Sequence, residues 1–384
     1  MKRPLLYLSA IAIVAIAGCK KESSPSTKAN ATKLKAAATP ATAAYLDTTV
    51  TNFFRRETGH IASDGGSSIP LSNGKVLWLM GDSHIDDYRA SDGTIPYLFQ
   101  VRNAALLQPK GDWNWRNTQT LIGNGNNPKS YLKNTDDTKK WIWPGSGIEV
   151  KGNLYVYCGY LQQTNTGFGF EAAPRDLWAK IQLSDMKVLF YVELPDFKGI
   201  NFGLSFIKDP NSDYVYVFGN KMTFIYNDIF LARFKATTEP PVWEFYDGKD
   251  FSKDINKIKR VGEAMSSGCH VAQVGSQFVI VSTEFSVGCD QGKRIYISTS
   301  GSPRGPYTPN RAIYTITDTV ENHYPFFYAP VLHPEYINEK NEVLLTYAIN
   351  GYPGCLPDHV NFRSDPDRYR LRGVRIPYSV IAAR

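Results

Sequence analysis

Short apolar runs rich in Val, Ile, Tyr, Phe and Leu recur along the chain, separated by Gly, Asn, Asp, Pro and Ser. No long stretch keeps a 3.6-residue apolar period, so the pattern predicts an all-β protein. Five pairs of runs share one form, a first strand, a turn, and a strongly apolar second strand. They are Asp64 to Leu71 with Val76 to Asp82, Trp143 to Val150 with Leu154 to Cys158, and Asn201 to Ile207 with Tyr214 to Gly219. Ser267 to Ala272 with Phe278 to Ser282, and Phe327 to His333 with Val343 to Ala348, complete the set. Further strand-like segments follow each pair, and the unit recurs every 60 to 80 residues. Multi-stranded antiparallel units at that spacing predict a five-bladed β-propeller of four-stranded blades, against a sandwich or β-helix as the alternative. Either Val374 to Ile381 or Tyr45 to Phe54 is expected to close the ring.

Hairpin register then predicts which residues meet. A two-residue turn at Asn73-Gly74 sets Gly65 opposite Asp82 and brings Asp64 beside Asp82 and Ser83. A turn at Gly275-Ser276 sets Ser267 opposite Glu284, with Glu263 just upstream. The same arithmetic puts Cys269 near the start of that hairpin and Cys289 on the loop leaving its other arm. A Cys269–Cys289 disulfide is therefore the preferred pairing, against buried free thiols. One face is expected to gather Asp64, Asp82, His84, Asp86, Trp143, Glu263, Glu284, His323 and Tyr324, with His270 also a candidate contact. Carboxylates rimmed by aromatic rings suit a sugar cleft, because flat rings stack on C–H faces and carboxylates accept from hydroxyls. Two carboxyl groups at suitable spacing can also hydrolyse a glycosidic bond. The candidate catalytic residues are thus Asp64, Glu284 and Glu263; the candidate substrate contacts are Asp82, His84, Asp86, Trp143, His270, His323 and Tyr324. No His or Cys pair has metal-ligand spacing on a single element, so no metal site or cofactor is expected.

The beginning of the chain changes the picture of where the protein works. Met-Lys-Arg precedes an apolar run from Leu5 to Ala17, ending Ala17-Gly18-Cys19. Residues 1–18 have the form of a secretory signal, too short for a comfortable membrane span. The Ala-Gly-Cys step resembles the lipobox of bacterial lipoproteins, which implies acylation of Cys19 and anchorage on a membrane. Lys20 after the cysteine favours the outer membrane over the inner one by resemblance to known sorting rules. Residues 19–45 are Lys, Ser, Thr, Ala and Pro with almost no large apolar side chains, a composition that predicts a disordered tether before a domain at 46–384. The chain holds 43 Lys and Arg against 36 Asp and Glu. Lys2, Arg3, five tether lysines and Glu22 precede residue 46, so the domain carries 36 basic against 35 acidic residues and shows no nucleic-acid footprint. A monomer is expected, with a polysaccharide or oligosaccharide as partner.

The stretch Asp64-Gly-Gly-Ser-Ser-Ile-Pro-Leu-Ser-Asn-Gly-Lys-Val-Leu-Trp-Leu-Met-Gly-Asp-Ser resembles the opening blade of a bacterial domain family first catalogued without a function. That family belongs to the five-bladed propellers of the arabinanase and fructosidase type, and some relatives are endo-acting hydrolases of D-arabinan. Ile297 to Tyr307 and Tyr328 to Glu335 are similar to later steps of the same propellers. The resemblance implies a cell-envelope glycoside hydrolase acting on a polysaccharide such as an arabinan, with Asp64 as base or nucleophile. It also allows a structural calcium ion in the axial channel. The acid expected at the start of a later inner strand is not matched, since unit four reads Met-Ser-Ser-Gly-Cys-His and unit two offers Ser146. A non-catalytic glycan-binding lipoprotein is therefore the alternative.

Overall fold

A computed structural model describes residues 44–383, apart from 167–168, 224–225, 240, 287, 321 and 352–361. The signal, Cys19 and almost all of the tether fall outside the described residues. Five antiparallel sheets form the blades of a propeller. Blade 1 is His60–Pro70, Lys75–Ile85, Ala104–Pro109 and Gln119–Leu121. Blade 2 is Lys140–Val150, Asn153–Gln163, Leu177–Gln182 and Val188–Glu193. Blade 3 is Asn201–Lys208, Tyr214–Thr223 and Tyr226–Lys235, whose outer edge is shared by Glu244–Tyr246 and Arg260–Ala264. Blade 4 is Cys269–Val274, Gln277–Thr283, Arg294–Ser300 and Arg311–Thr315. Blade 5 is Phe326–His333, Glu342–Asn350, Arg372–Pro377 and, outermost, Tyr45–Asp47. The first strand of each blade touches those of its two neighbours, which closes the ring.

The second strands are apolar at nearly every position because each blade is buried on both faces. Successive side chains of a strand point to opposite sides. Leu77 and Leu79 therefore pack in the seam between blades 1 and 2, while Val76, Trp78 and Met80 pack between blades 5 and 1. Leu154 and Val156 likewise face blade 1, whereas Tyr157 faces blade 3. Val279 and Val281 enter the seam with blade 5, and Phe278 and Ile280 that with blade 3. Five apolar clusters result, one per seam.

Both chain ends contribute to closure. Tyr45–Asp47 pairs antiparallel with Arg372–Pro377, Tyr45 facing Arg375 and Asp47 facing Gly373. The Asp47 carboxylate accepts from the Val50 N–H at 3.1 Å, capping the short helix Thr48–Phe53, and from Arg375 Nε at 2.7 Å. Arg375 Nη1 also donates to the Tyr336 carbonyl at 2.6 Å. Arg375 is buried, so removing it strands a carboxylate and a carbonyl in the seam. Arg375→Ala is expected to cost about 3 kcal/mol, read as a lower midpoint in urea unfolding.

Two features differ from expectation. The blade 1 turn has three residues, not two: the Leu71 N–H donates to the Lys75 carbonyl at 2.9 Å, and Ile69 faces Leu77. The register is offset by one residue, whereas the blade 4 hairpin pairs Val274 with Gln277 and Cys269 with Ser282 as expected. The Cys269–Cys289 disulfide is corrected. Cys269 is a free thiol buried in the seam between blades 3 and 4 beside Phe218 and Ile229, and burial pushes it up to about 12. Cys289 is disulfide-bonded, but not to Cys269. Strand alternation turns the Cys269 side chain, like that of Val271, into the seam with blade 3.

Candidate functional site

The ends of the inner hairpins of blades 5, 1 and 2 meet around two aspartates. Asp64 lies in the first strand of blade 1, just before Gly65 and Gly66, whose φ angles of +87° and +94° break the pairing register. That bulge turns the Asp64 side chain onto the neighbouring strand. A Cβ on Gly81 would come within 2.0 Å of Asp64 Oδ1, so the carboxylate needs the absent side chain there. Asp64 accepts from the Tyr328 hydroxyl of blade 5 at 2.8 Å, from the Tyr369 hydroxyl, and from the Asp82 backbone N–H. Asp82 sits one residue beyond Gly81. Its Oδ1 accepts from the Trp143 indole of blade 2 at 3.1 Å, and its Oδ2 from Arg102 at 3.4 Å. The Arg102 guanidinium in turn lies 4.2 Å from the centre of the Trp141 ring and 4.9 Å from that of Phe99. Phe170 meets both Trp141 and Trp143 edge-on.

Burial raises both carboxyl groups above the ordinary range, and the negative charge of Asp64 pushes Asp82 further, to about 7. Arg102 and Trp143 oppose that rise without cancelling it. Asp64 has three donors aimed at its oxygens, which makes it the better seat for negative charge. Asp82 is therefore the member of the pair that holds a proton more readily, and Asp64 the one better served for negative charge. That is the acid–base division that environments of unequal polarity impose on paired carboxyls.

The remaining predicted residues have other surroundings. His84 is buried and bonds Asp87 at 2.7 Å, with its ring edge-on to Tyr369 at 6.3 Å; it braces a residue that touches Asp64. Asp86, at φ +50°, accepts from the Gly59 N–H and ties down the loop. His270 lies buried in the first strand of blade 4, where burial and the proximity of His333 hold it down at about 3, so it is neutral. His323 and Tyr324 gather on Asp290, with the Lys293 ammonium 3.2 Å from the Tyr324 ring centre.

Each of the two glutamates expected opposite Asp64 is engaged by an arginine instead. Glu263 lies on the outer edge strand of blade 3, beside Asp228, in an ion pair with Arg260 at 3.2 Å. Three strand spacings of ~4.8 Å separate that edge from the axis. Glu284 is held by Arg294 through two guanidinium hydrogen bonds. Tyr328, Tyr369 and Arg102 were not among the sequence candidates, although Tyr328 opens one of the stretches that carry the family resemblance. Among the described residues no group of three or more His, Cys, Asp or Glu is arranged to hold a metal ion.

A five-bladed propeller with an acid pair seated where three blades converge is the class that fold and site define. The chain belongs to the family described as "Domain of unknown function (DUF5005)", whose model matches residues 47–378. No curated protein matches it. Among solved structures it is similar to a protein of Bacteroides ovatus ATCC 8483 provisionally named a hydrolase, with TM-score 0.67 and 16% identity over 86% of this chain and 89% of that one. An exo-β-1,3-galactanase of Phanerochaete chrysosporium gives TM-score 0.46 and 10% identity over 84% of this chain and 63% of its own. The GH32 β-fructofuranosidase of Bombyx mori gives 0.46 and 11% over 86% and 64%. At these identities the likeness is one of fold.

Proposed function

We propose that the protein is a glycoside hydrolase of the cell envelope, tethered through Cys19, with Asp64 and Asp82 as its working carboxyl groups. The observation that carries it is the adjoining buried pair, one member raised to about 7, opening between Trp143 and the tyrosines of blade 5. Protonated Asp82 gives its proton to the oxygen of the departing sugar. Ionised Asp64 attacks the anomeric carbon or takes the proton of the water that does so. Tyr328 and Tyr369 keep Asp64 oriented and ionised. Arg102 and Trp143 position Asp82, and the Arg102 charge limits how far its proton affinity rises. This assignment moves the acid from Glu284 or Glu263 to Asp82, which stood as a substrate contact in the sequence. Tyr45–Asp47 is the outermost strand of blade 5, which suits a lipid tether attached at the circumference.

The test is release of reducing ends from a glycan panel, arabinans first, by the purified protein. Turnover of one polymer is the expected result. Tight binding of a glycan with no release over days would replace this proposal with the non-catalytic glycan-binding protein.

A further inference from the structure

Beyond the acid pair, a cavity of 310 Å³ lies on the same side of the propeller between blades 2 and 3. It is at the small end of the roughly 300–1,000 Å³ of ligand sites. Trp143 forms part of its wall while its indole N–H reaches Asp82, so the cleft begins where the acid pair ends. In blade 2, Trp143 faces Gly159, and Asp176 comes next to the Leu177–Cys158 pair. Three adjacent strands therefore present Trp, Gly and Asp at one level, and the missing side chain in the middle leaves the floor open. Pro144, Pro174 and Pro195 also line the cleft. Their fixed φ angles make its shape preformed, which lowers the ordering cost of binding.

The polar groups there are arranged to bind hydroxyls. The Asp176 carboxylate accepts from the Tyr157 hydroxyl and from the Tyr160 N–H at 3.0 Å, which orients it and leaves lone pairs directed elsewhere. The Asn201 carbonyl oxygen accepts from the Gly203 N–H at 2.8 Å, while its amide nitrogen has no hydrogen bond among the described residues. Among the described residues no Lys, Arg or His is part of the cleft lining; Lys198, Arg175 and Lys221 stand at its rim near Asp196 and Gly199, and no cation acts on Asp176 at the floor. The charged side chains of the lining are Asp176 and Asp196, the latter paired with Lys198 at 2.9 Å. A uronate or sulfate placed against Asp176 would lose water and meet a carboxylate with no counter-ion beside it.

We propose that this cleft is the subsite for the sugar residues next to the bond cleaved, and that it selects an uncharged glycan. The inference rests on the hydrolase reading above for what happens at the acid pair, but its own test is binding. The full chain carrying Asp64→Asn is titrated calorimetrically with neutral hexasaccharides from arabinan, galactan, xylan and β-glucan, and with hexagalacturonate. One neutral hexasaccharide is expected to bind and hexagalacturonate not to. Ala173→Trp, which fills the cleft from its rim, is expected to weaken binding about tenfold or more. Asp176→Asn is expected to weaken it about fivefold, with unfolding temperatures of both variants unchanged within about 2 °C. Unchanged affinity in both variants, equal binding of hexagalacturonate, or no binding by any hexasaccharide overturns the proposal. Turnover by the wild type with unaffected binding in the variants sinks the cleft and leaves the hydrolase. Binding that tracks the cleft with no turnover by the wild type does the reverse.

Discussion

Asp64→Asn is expected to reduce glycan turnover by about 10³–10⁴-fold, near the upper end of what one positioned acid–base group supplies. The substitution keeps the shape of the side chain and an oxygen that can accept from Tyr328 and Tyr369. It removes the charge that would attack or take a proton. The loss should fall on kcat with little change in oligosaccharide affinity, measured by calorimetry beside initial rates. The unfolding temperature should not fall, since the variant removes a buried charge and adds no volume. Activity within tenfold of the wild type would remove Asp64 from the chemistry.

The pairing of Asp64 with Asp82 was legible from hairpin arithmetic, even though the turn was one residue longer than the Asn-Gly pair suggested. Gly65 faces Met80 rather than Asp82, and the one-residue offset at the turn persists beyond the bulge, where Ser63 faces Ser83; a shift of one residue still leaves Asp64 level with Asp82. Blade count was legible for a stronger reason. A strand buried on both faces cannot alternate apolar with polar residues, and five such strands at even spacing fit a radial stack better than a two-layer sandwich. What was not legible comes from ring closure. Tyr328 stands 264 residues from Asp64 in the chain, and Tyr369 stands further still. No local pattern marks a tyrosine that will donate across the seam. Tyr45 to Phe54 and Val374 to Ile381 stood as alternatives for closing the ring; that Tyr45–Asp47 pairs with Arg372–Pro377, more than 300 residues away, so that both contribute, was not legible.

Glu263 was misplaced for a related reason. The sequence shows that Glu263 precedes the inner strand of blade 4. It does not show that Arg260–Ala264 first completes the outer edge of blade 3, which carries the side chain to the circumference. Glu284 was placed at the correct end of its hairpin, but its charge is spent on Arg294, ten residues on, in the adjacent strand. Charge near an expected site is thus a weak guide. The distinguishing quality of Asp82 is that its partners leave its proton affinity high.

That quality gives Asp82→Asn two opposite effects. Turnover should fall by about 10²–10³-fold, and the remaining activity should lose the pH limb near 7, because the proton donor is gone. Stability should move the other way. Folding raises Asp82 from 3.8 to about 7, so it favours the protonated form. The stability this contributes is complete below pH ~4 and is lost as pH rises through about 7. Above that, the wild type carries a buried carboxylate at a cost of about 4 kcal/mol, taking 1.36 kcal/mol per unit. Asparagine avoids the charge and can still accept from the Trp143 indole. At pH 8 the variant should therefore unfold about 5 °C higher than the wild type, given ~2 cal/mol/K of unfolding entropy per residue. At pH 4.5 the two should coincide within about 1 °C. A scan of unfolding temperature against pH for both proteins reads this directly. Parallel curves from pH 4.5 to 8 would mean that Asp82 is ionised throughout, and the proton donor would have to be sought elsewhere along the cleft.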